Sequence, residues 1–199
     1  MKLCVLSIRD GRDEVHARSL ESLQEAVPEP AHHIVVDDAS HELGFSGAIQ
    51  HGWEQVLETD ATHLLHHEAD FLFRETVPVQ HMVNLLDRKP YLTQVALKRG
   101  PVNAEEKAAG GIVELAPDDF HQRFEAGLVW TEHRRFGFTT NPCIYPVALC
   151  AQGWPQVSES EGTFGLWLLE DPDAHSCFWG GKYDGPRVEH IGVREGVGY

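Results

Sequence analysis

An α/β fold, with a mostly parallel central sheet flanked by helices, is what this sequence predicts, and three observations predict it. Short apolar runs rich in β-branched residues alternate with stretches of helical period through residues 1–100. Each apolar run stops at a polar or acidic turn. The resulting order β-α-β-α-β-α-β is the one that builds parallel sheets with right-handed crossovers.

The elements follow in order. KLCVLSI is a short apolar run that stops at RDGRD, a buried strand meeting a loop. Residues 14–27 place Val15, Leu20, Leu23 and Val27 at helical spacing, and Pro28 and Pro30 end that helix. HIVVDDAS is a second parallel strand feeding an acidic turn. A helix over 46–58 follows, opened by Gly44 and Ser46, and THLLHHEADFLF is read as one third strand. Helical spacing returns over 76–86 and strand character over 91–97. Beyond residue 100, Gly110, Gly111, Pro117, Pro142, Pro146, Pro155, Pro172 and Pro186 divide the chain into short pieces. These are expected to cover the sheet edge and shape a pocket, with a helix over 162–170.

A chain of 199 residues with 42% hydrophobic and 9% aromatic content suits a single domain that buries its own core. Its formal net charge of −15 disfavours binding to the phosphate backbone of nucleic acids. No apolar run approaches the roughly 20 residues that span a bilayer, and MKLCVLSIRDGRDE becomes charged too early for a signal peptide, so a cytoplasmic location is expected. Cys4, Cys143, Cys150 and Cys177 form no CxxC pair, which points to reduced thiols.

In open α/β sheets ligands bind beyond the carboxyl ends of the strands, so acids at strand ends are the candidates for chemistry. Asp37 and Asp38 follow IVV directly; they either accept hydrogen bonds from a base or ribose or cap the loop and the next helix. Glu68 and Asp70, two apart, are expected on one face of the third strand, where they hold a divalent cation or pair with a nearby Arg or Lys. His66 and His67 lack the i, i+4 helical pair of a zinc hydrolase and should point to opposite faces. Glu159 and Glu161 precede a helix, either as first-turn acids favoured by the dipole or as a general base. His190 lies in an apolar run near the end, as a structural residue or as a further metal ligand, with Arg194 close behind to offset phosphate charge.

Taken together these segments resemble the GT-A glycosyltransferases, in particular small family 2-like proteins of the kind encoded by bacteriophages and prophages. VDDAS resembles the VDDGS element whose acids contact the nucleoside, with Asp38 the better match. GFSGAIQHGW is similar to a Gly-rich helix start of the form GxxxARNxG, with Ile49 and Gln50 where Arg and Asn are common. HHEADFLF resembles a DXD element in which Glu68 replaces the first Asp and Asp70 keeps the last. TTNPCIYPVAL looks like the segment before the acceptor-side loop, VSESEGTF falls where an inverting enzyme keeps its base, and HIGVREGVGY resembles the His-containing loop that completes the diphosphate site.

The resemblance implies a GT-A domain over residues 1–199, with a nucleotide-sugar-binding half over 1–100 and an acceptor and catalytic half over 101–199. It implies Mn2+ or Mg2+ held by Asp70 and His190. It implies donor contacts from Ser7, Arg9, Asp37, Asp38, Gly47, Gln50, Glu68, Ala69 and Arg194, and a base at Glu161 with Glu159 second. The substrates implied are a nucleoside-diphosphate sugar and a hydroxyl acceptor on a glycan, a protein or a modified nucleobase. A non-catalytic nucleotide-sugar-binding protein is the rival reading, and a sugar nucleotidyltransferase is a second, for which RDGRD is a poor phosphate loop.

Overall fold

The computed structural model describes residues 2–192; Arg194 lies outside them. In chain order the elements are β1 (Leu3–Arg9), α1 (Asp13–Ala26), β2 (His32–Asp37), α2 (Gly44–Leu57), β3 (His63–Glu68), β4 (Phe71–Phe73), α3 (Val79–Arg88), β5 (Leu92–Ala96), α4 (Ala104–Ala109), α5 (Ile112–Leu115), β6 (Phe120–Glu125), β7 (Leu128–His133), β8 (Cys143–Pro146), α6 (Ser160–Leu168), β9 (His175–Trp179) and β10 (Val188–His190). Eight strands form the central sheet in the order β2-β1-β3-β8-β5-β9-β7-β6. β1, β2, β3, β5, β9 and β6 run one way, and β8 and β7 run against them. No helix among the described residues is long and apolar enough to cross a membrane.

Strand alternation explains why both faces are covered. On β1, Leu3 and Val5 join Leu23, Leu65, Met82 and Leu86 in one core, while Cys4 and Leu6 join Ile49, Trp53, Leu64 and Phe164 in the other. Helices α1 and α3 therefore cover one face and α2 and α6 the opposite one. Gly52 carries α2 close to the sheet, since a Cβ there would meet the Leu6 side chain at 2.6 Å. All four cysteines are buried free thiols.

Two expectations are corrected. THLLHHEADFLF is not one strand: β3 stops at Glu68, the chain turns at Ala69 and Asp70, and β4 pairs antiparallel with β10 in a separate small sheet. Glu68 and Asp70 therefore do not share a strand face. The second half does more than cover an edge, because β6 to β9 all belong to the main sheet and β8 is inserted between β3 and β5. That insertion sets Cys143 opposite His66 on β3 and Ala96 on β5, so residues 139–142 emerge at the carboxyl ends of both strands.

His66 and His67 do point to opposite faces, and both are fully buried. His67 bridges Ser7 Oγ (2.8 Å) and Ser19 Oγ (2.7 Å), while Nδ1 of His66 lies 3.3 Å from the Tyr145 hydroxyl. His133 packs among Phe120, Phe136 and Phe178, and neither of its ring nitrogens has a partner among the described residues. Burial pushes the pKa of His66 down to about 4, and burial together with neighbouring cationic groups takes His67 and His133 to about 3. The unfolded chain binds these protons first, at about pH 6.5, so the stability these neutral imidazoles contribute is intact above that value. It is lost progressively as pH falls from there toward 3, with each histidine adding at most about 1.4 kcal/mol per pH unit. Urea midpoints should fall steadily from about pH 6.5 down to about pH 5. His133→Phe, which removes two unpartnered nitrogens from an aromatic cluster, should flatten that slope by about one proton's worth. An unchanged slope in His133→Phe would show that this imidazole is not held neutral.

Candidate active site

The carboxyl ends of β1, β2 and β3 bring the candidate acids to one edge. Gly11, at φ 87, lets the loop after β1 close on the loop after β2, where a Cβ would stand 3.2 Å from the Ala39 carbonyl. Asp37 follows the β2 register opposite Arg9, and Glu68 ends β3 opposite Ile8. Asp38 follows β2 and Asp70 follows β3, the strands on either side of β1.

Asp70 and His190, 120 residues apart in the chain, converge here: His190 Nε2 lies 3.1 Å from Asp70 Oδ2. The pairing of β4 with β10, His190 opposite Phe71, makes this happen, and Ile191 N donates to the Asp70 carbonyl at 2.8 Å. Arg12 reaches the same carboxylate oxygen at 3.0 Å while its Nε donates to Asp10 Oδ2 at 2.7 Å. Burial raises the pKa of Asp70, but the His190 hydrogen bond and the nearby His190 and Arg12 charges outweigh it and leave the carboxyl below its usual range. Among the described residues no set of three or more His, Cys, Asp or Glu groups is arranged to hold a metal ion. Asp70 and His190 are the two candidate ligands that the structure brings together.

Glu161 approaches from the other half of the chain. It sits in the first turn of α6, and Thr140 Oγ1 donates to its Oε2 at 2.8 Å. Burial pushes the Cys143 thiol well up, and the charges of Glu161 and Glu68 add to it. Glu159 is exposed and adopts a left-handed conformation (φ 59, ψ 34) with no side-chain cap hydrogen bond. The turn it makes drives Ser160 inward, where its Oγ receives Trp154 Nε1 (2.9 Å) and Ser46 Oγ (2.9 Å). Of the two acids, Glu161 is the one held by a side-chain hydrogen bond, from Thr140.

The remaining candidates divide. Asp37 is exposed, salt-bridged to Arg9 at 2.8 Å, and accepts from Ala39 N at 3.1 Å. Asp38, 5% exposed, accepts from the backbone N–H of Leu43, the residue before α2, at 2.9 Å and so braces that loop. Arg9 is also engaged by Asp13 at 2.7 Å. Ser7 is turned inward, its hydroxyl bound between His33 and His67, and Ala69 is buried. Gln50 is occupied in holding Trp154 N (2.7 Å) and Glu54 (2.8 Å), and Gly47 packs on Leu43 at the start of α2. Sequence reasoning missed Asp10, Arg12, Thr140 and Ser160. Asp10 and Arg12 were recoverable, because they follow a strand end directly.

Ser160 fastens the helix that carries Glu161, so Ser160→Ala should strand the Trp154 indole N–H and destabilise the protein by about 1–3 kcal/mol in urea unfolding. A loss under about 0.5 kcal/mol, the range of ordinary surface changes, would show that this clamp is dispensable.

No protein-family model and no curated protein sequence matches the chain. Solved structures do. The chain superposes on Staphylococcus aureus TarS 1–349 with a TM-score of 0.60 at 12% identity, covering 96% of this chain and 60% of that one. The complex of TarS 1–349 with UDP-GlcNAc gives a TM-score of 0.60 at 14% identity over 99% of this chain and 60% of that one. A longer TarS structure gives 0.56 at 12% identity, over 96% of this chain and 37% of that one. The chain thus spans 60% of the length of TarS 1–349, and the likeness establishes the fold as α/β of the GT-A type.

Proposed function

We propose that the protein is a metal-dependent glycosyltransferase that moves a sugar from a nucleoside-diphosphate sugar to an acceptor hydroxyl, with inversion at the anomeric carbon. The observation that carries this reading is the meeting of Asp70 and His190 at 3.1 Å, on the edge where the loops after β1 and β2 also end. The TarS complex with UDP-GlcNAc, a fold neighbour, supports a nucleotide-sugar as the donor class.

The residues fit a divalent ion. A carboxylate oxygen and an imidazole nitrogen 3.1 Å apart suit adjacent ligands at roughly 2.0–2.2 Å from one centre. Mg2+-type sites draw on one or two protein groups and complete themselves with substrate phosphates. Gly192 packs directly against the pair, since a Cβ there would run into the Asp70 carboxylate and the Arg12 guanidinium. Bound Mn2+ or Mg2+ supplies neutralisation of the charge on the departing diphosphate.

The chain's own groups perform the rest. Glu161, oriented by Thr140, accepts the acceptor's hydroxyl proton as that oxygen bonds to the anomeric carbon and the bond to the diphosphate oxygen breaks. Glu68 adds its carboxylate on the α2 and α6 side of the edge. The exposed Asp37 with Arg9, and the Asp38 loop, form the end nearest the nucleoside. Arg194 keeps its proposed role of offsetting phosphate charge. The acceptor belongs to the glycan, protein or modified-nucleobase classes, and a net charge of −15 favours one that is not duplex DNA.

Glu161→Gln should lower kcat by about 10²–10⁴-fold, read as UDP release from UDP-GlcNAc with water or a supplied hydroxyl as acceptor. The thermal stabilisation by UDP-GlcNAc and Mn2+ should persist in that variant, because binding does not need the base. Full activity in Glu161→Gln would remove the assigned base, and a wild-type protein that no nucleoside diphosphate stabilises would remove the donor reading altogether.

A further inference from the structure

Arg12 sits at the centre of the donor edge with acids on both sides. Its Nε and terminal nitrogen pair with Asp10, and the terminal nitrogen also lies 3.0 Å from Asp70 Oδ2. That same Oδ2 is the atom on which His190 Nε2 converges at 3.1 Å. The oxygen offered to a divalent ion is therefore already occupied by a side-chain cation. An ion bonded to it at about 2.1 Å would stand against the guanidinium, two positive centres in a pocket where Asp10 and Asp70 are largely buried. The pocket gives Arg12 no slack on one side, because the Gly192 backbone closes over both groups.

We infer that Arg12 is a built-in counter-cation that holds the ion's place on Asp70 in the donor-free protein, so that a divalent ion and a nucleoside diphosphate bind cooperatively. This rests on the donor and metal reading above. The ion gains Asp70 only when Arg12 leaves it, and the displaced guanidinium needs a new anion. The diphosphate provides one, with oxygen pairs that match the guanidinium fork. Each ligand then favours the same Arg12-released state, which makes the coupling reciprocal.

Calorimetric titration of the full chain with Mn2+, with and without saturating UDP, tests this. In the wild type, UDP should tighten Mn2+ binding by roughly 5- to 150-fold, the usual span of such couplings. The double variant D10N/R12Q removes one negative and one positive charge together, so the net charge of the pocket is unchanged. It should bind Mn2+ alone about tenfold or more tighter than the wild type, and UDP should add less. R12Q alone should behave likewise. R9Q, which removes an equal charge from the same edge without touching Asp70, should leave Mn2+ affinity where it was. If D10N/R12Q binds Mn2+ no more tightly than the wild type while UDP still couples in both, Arg12 is not the competitor and this inference falls alone. If the wild type shows no Mn2+ binding even with UDP, the metal reading falls with it.

Discussion

A carboxylate at the buried end of a β-strand must be met by positive charge or by donors, and the molecule is organised around how Asp70 meets that demand. Its side chain is 13% exposed, too little for water to stabilise the charge by itself. Arg12 comes from the loop after β1 and His190 from the far end of the chain, so the compensation of one acid ties three separate segments together. The cost of leaving that charge alone is what makes the small β4 and β10 sheet more than decoration. It carries His190 to a position that no neighbour in sequence could supply.

The same edge draws its second carboxylate from a different layer. Helix α6 packs on the face covered by α2, where Gly137 and Gly165 meet backbone to backbone, and Trp154, Ser160 and Ser46 fix the turn that enters it. The left-handed Glu159 stores strain of about 1–3 kcal/mol, the usual cost of such a residue, at the point that turns Ser160 in and Glu161 out. Thr140, presented by the segment before the inserted strand β8, then fixes the Glu161 carboxylate from the sheet side. A carboxylate mounted between a helix turn and a strand entry has few rotamers to choose among. Such restriction is what the base role proposed for Glu161 would require.

The first half of the fold was legible because its strands carry compact apolar runs and its helices keep a clear period, except that THLLHHEADFLF, expected as one strand, divides into β3 and β4. The later strands were not. β6 is an edge strand exposed along nearly its whole length, and β8 is four residues long beside prolines, so neither shows the alternation or run length that marks a strand. At the site, Asp70 and His190 were named from the order of motifs and the structure brings them together. Ser7 was counted among donor contacts although it shares a face with Leu3 and Val5, which alternation alone sends inward toward α1. Arg12 was passed over because its meaning lies in two partners, and one of them, Asp70, is 58 residues away.

What separates interior from edge here is the kind of polar group each contains. Inside, the sheet holds His66, His67 and His133 as neutral rings, with Ser7 and Ser19 completing the hydrogen bonds of His67 in a chain that ends on the Phe71 carbonyl, next to Asp70. A neutral imidazole is a far cheaper group to bury than a carboxylate or an ammonium. Full charges gather where β1 and β3 end, at Asp10, Arg12, Glu68 and Asp70; elsewhere a buried charge such as Glu132 on β7 is met by its own ion pair, here Arg123 at 2.9 Å. Confining charge to the rim keeps it strong, because the low-dielectric sheet lies immediately behind it, and keeps it reachable, because solvent and ligand lie in front. An edge that presents Asp70 and Arg12 together offers both signs of charge to whatever enters it.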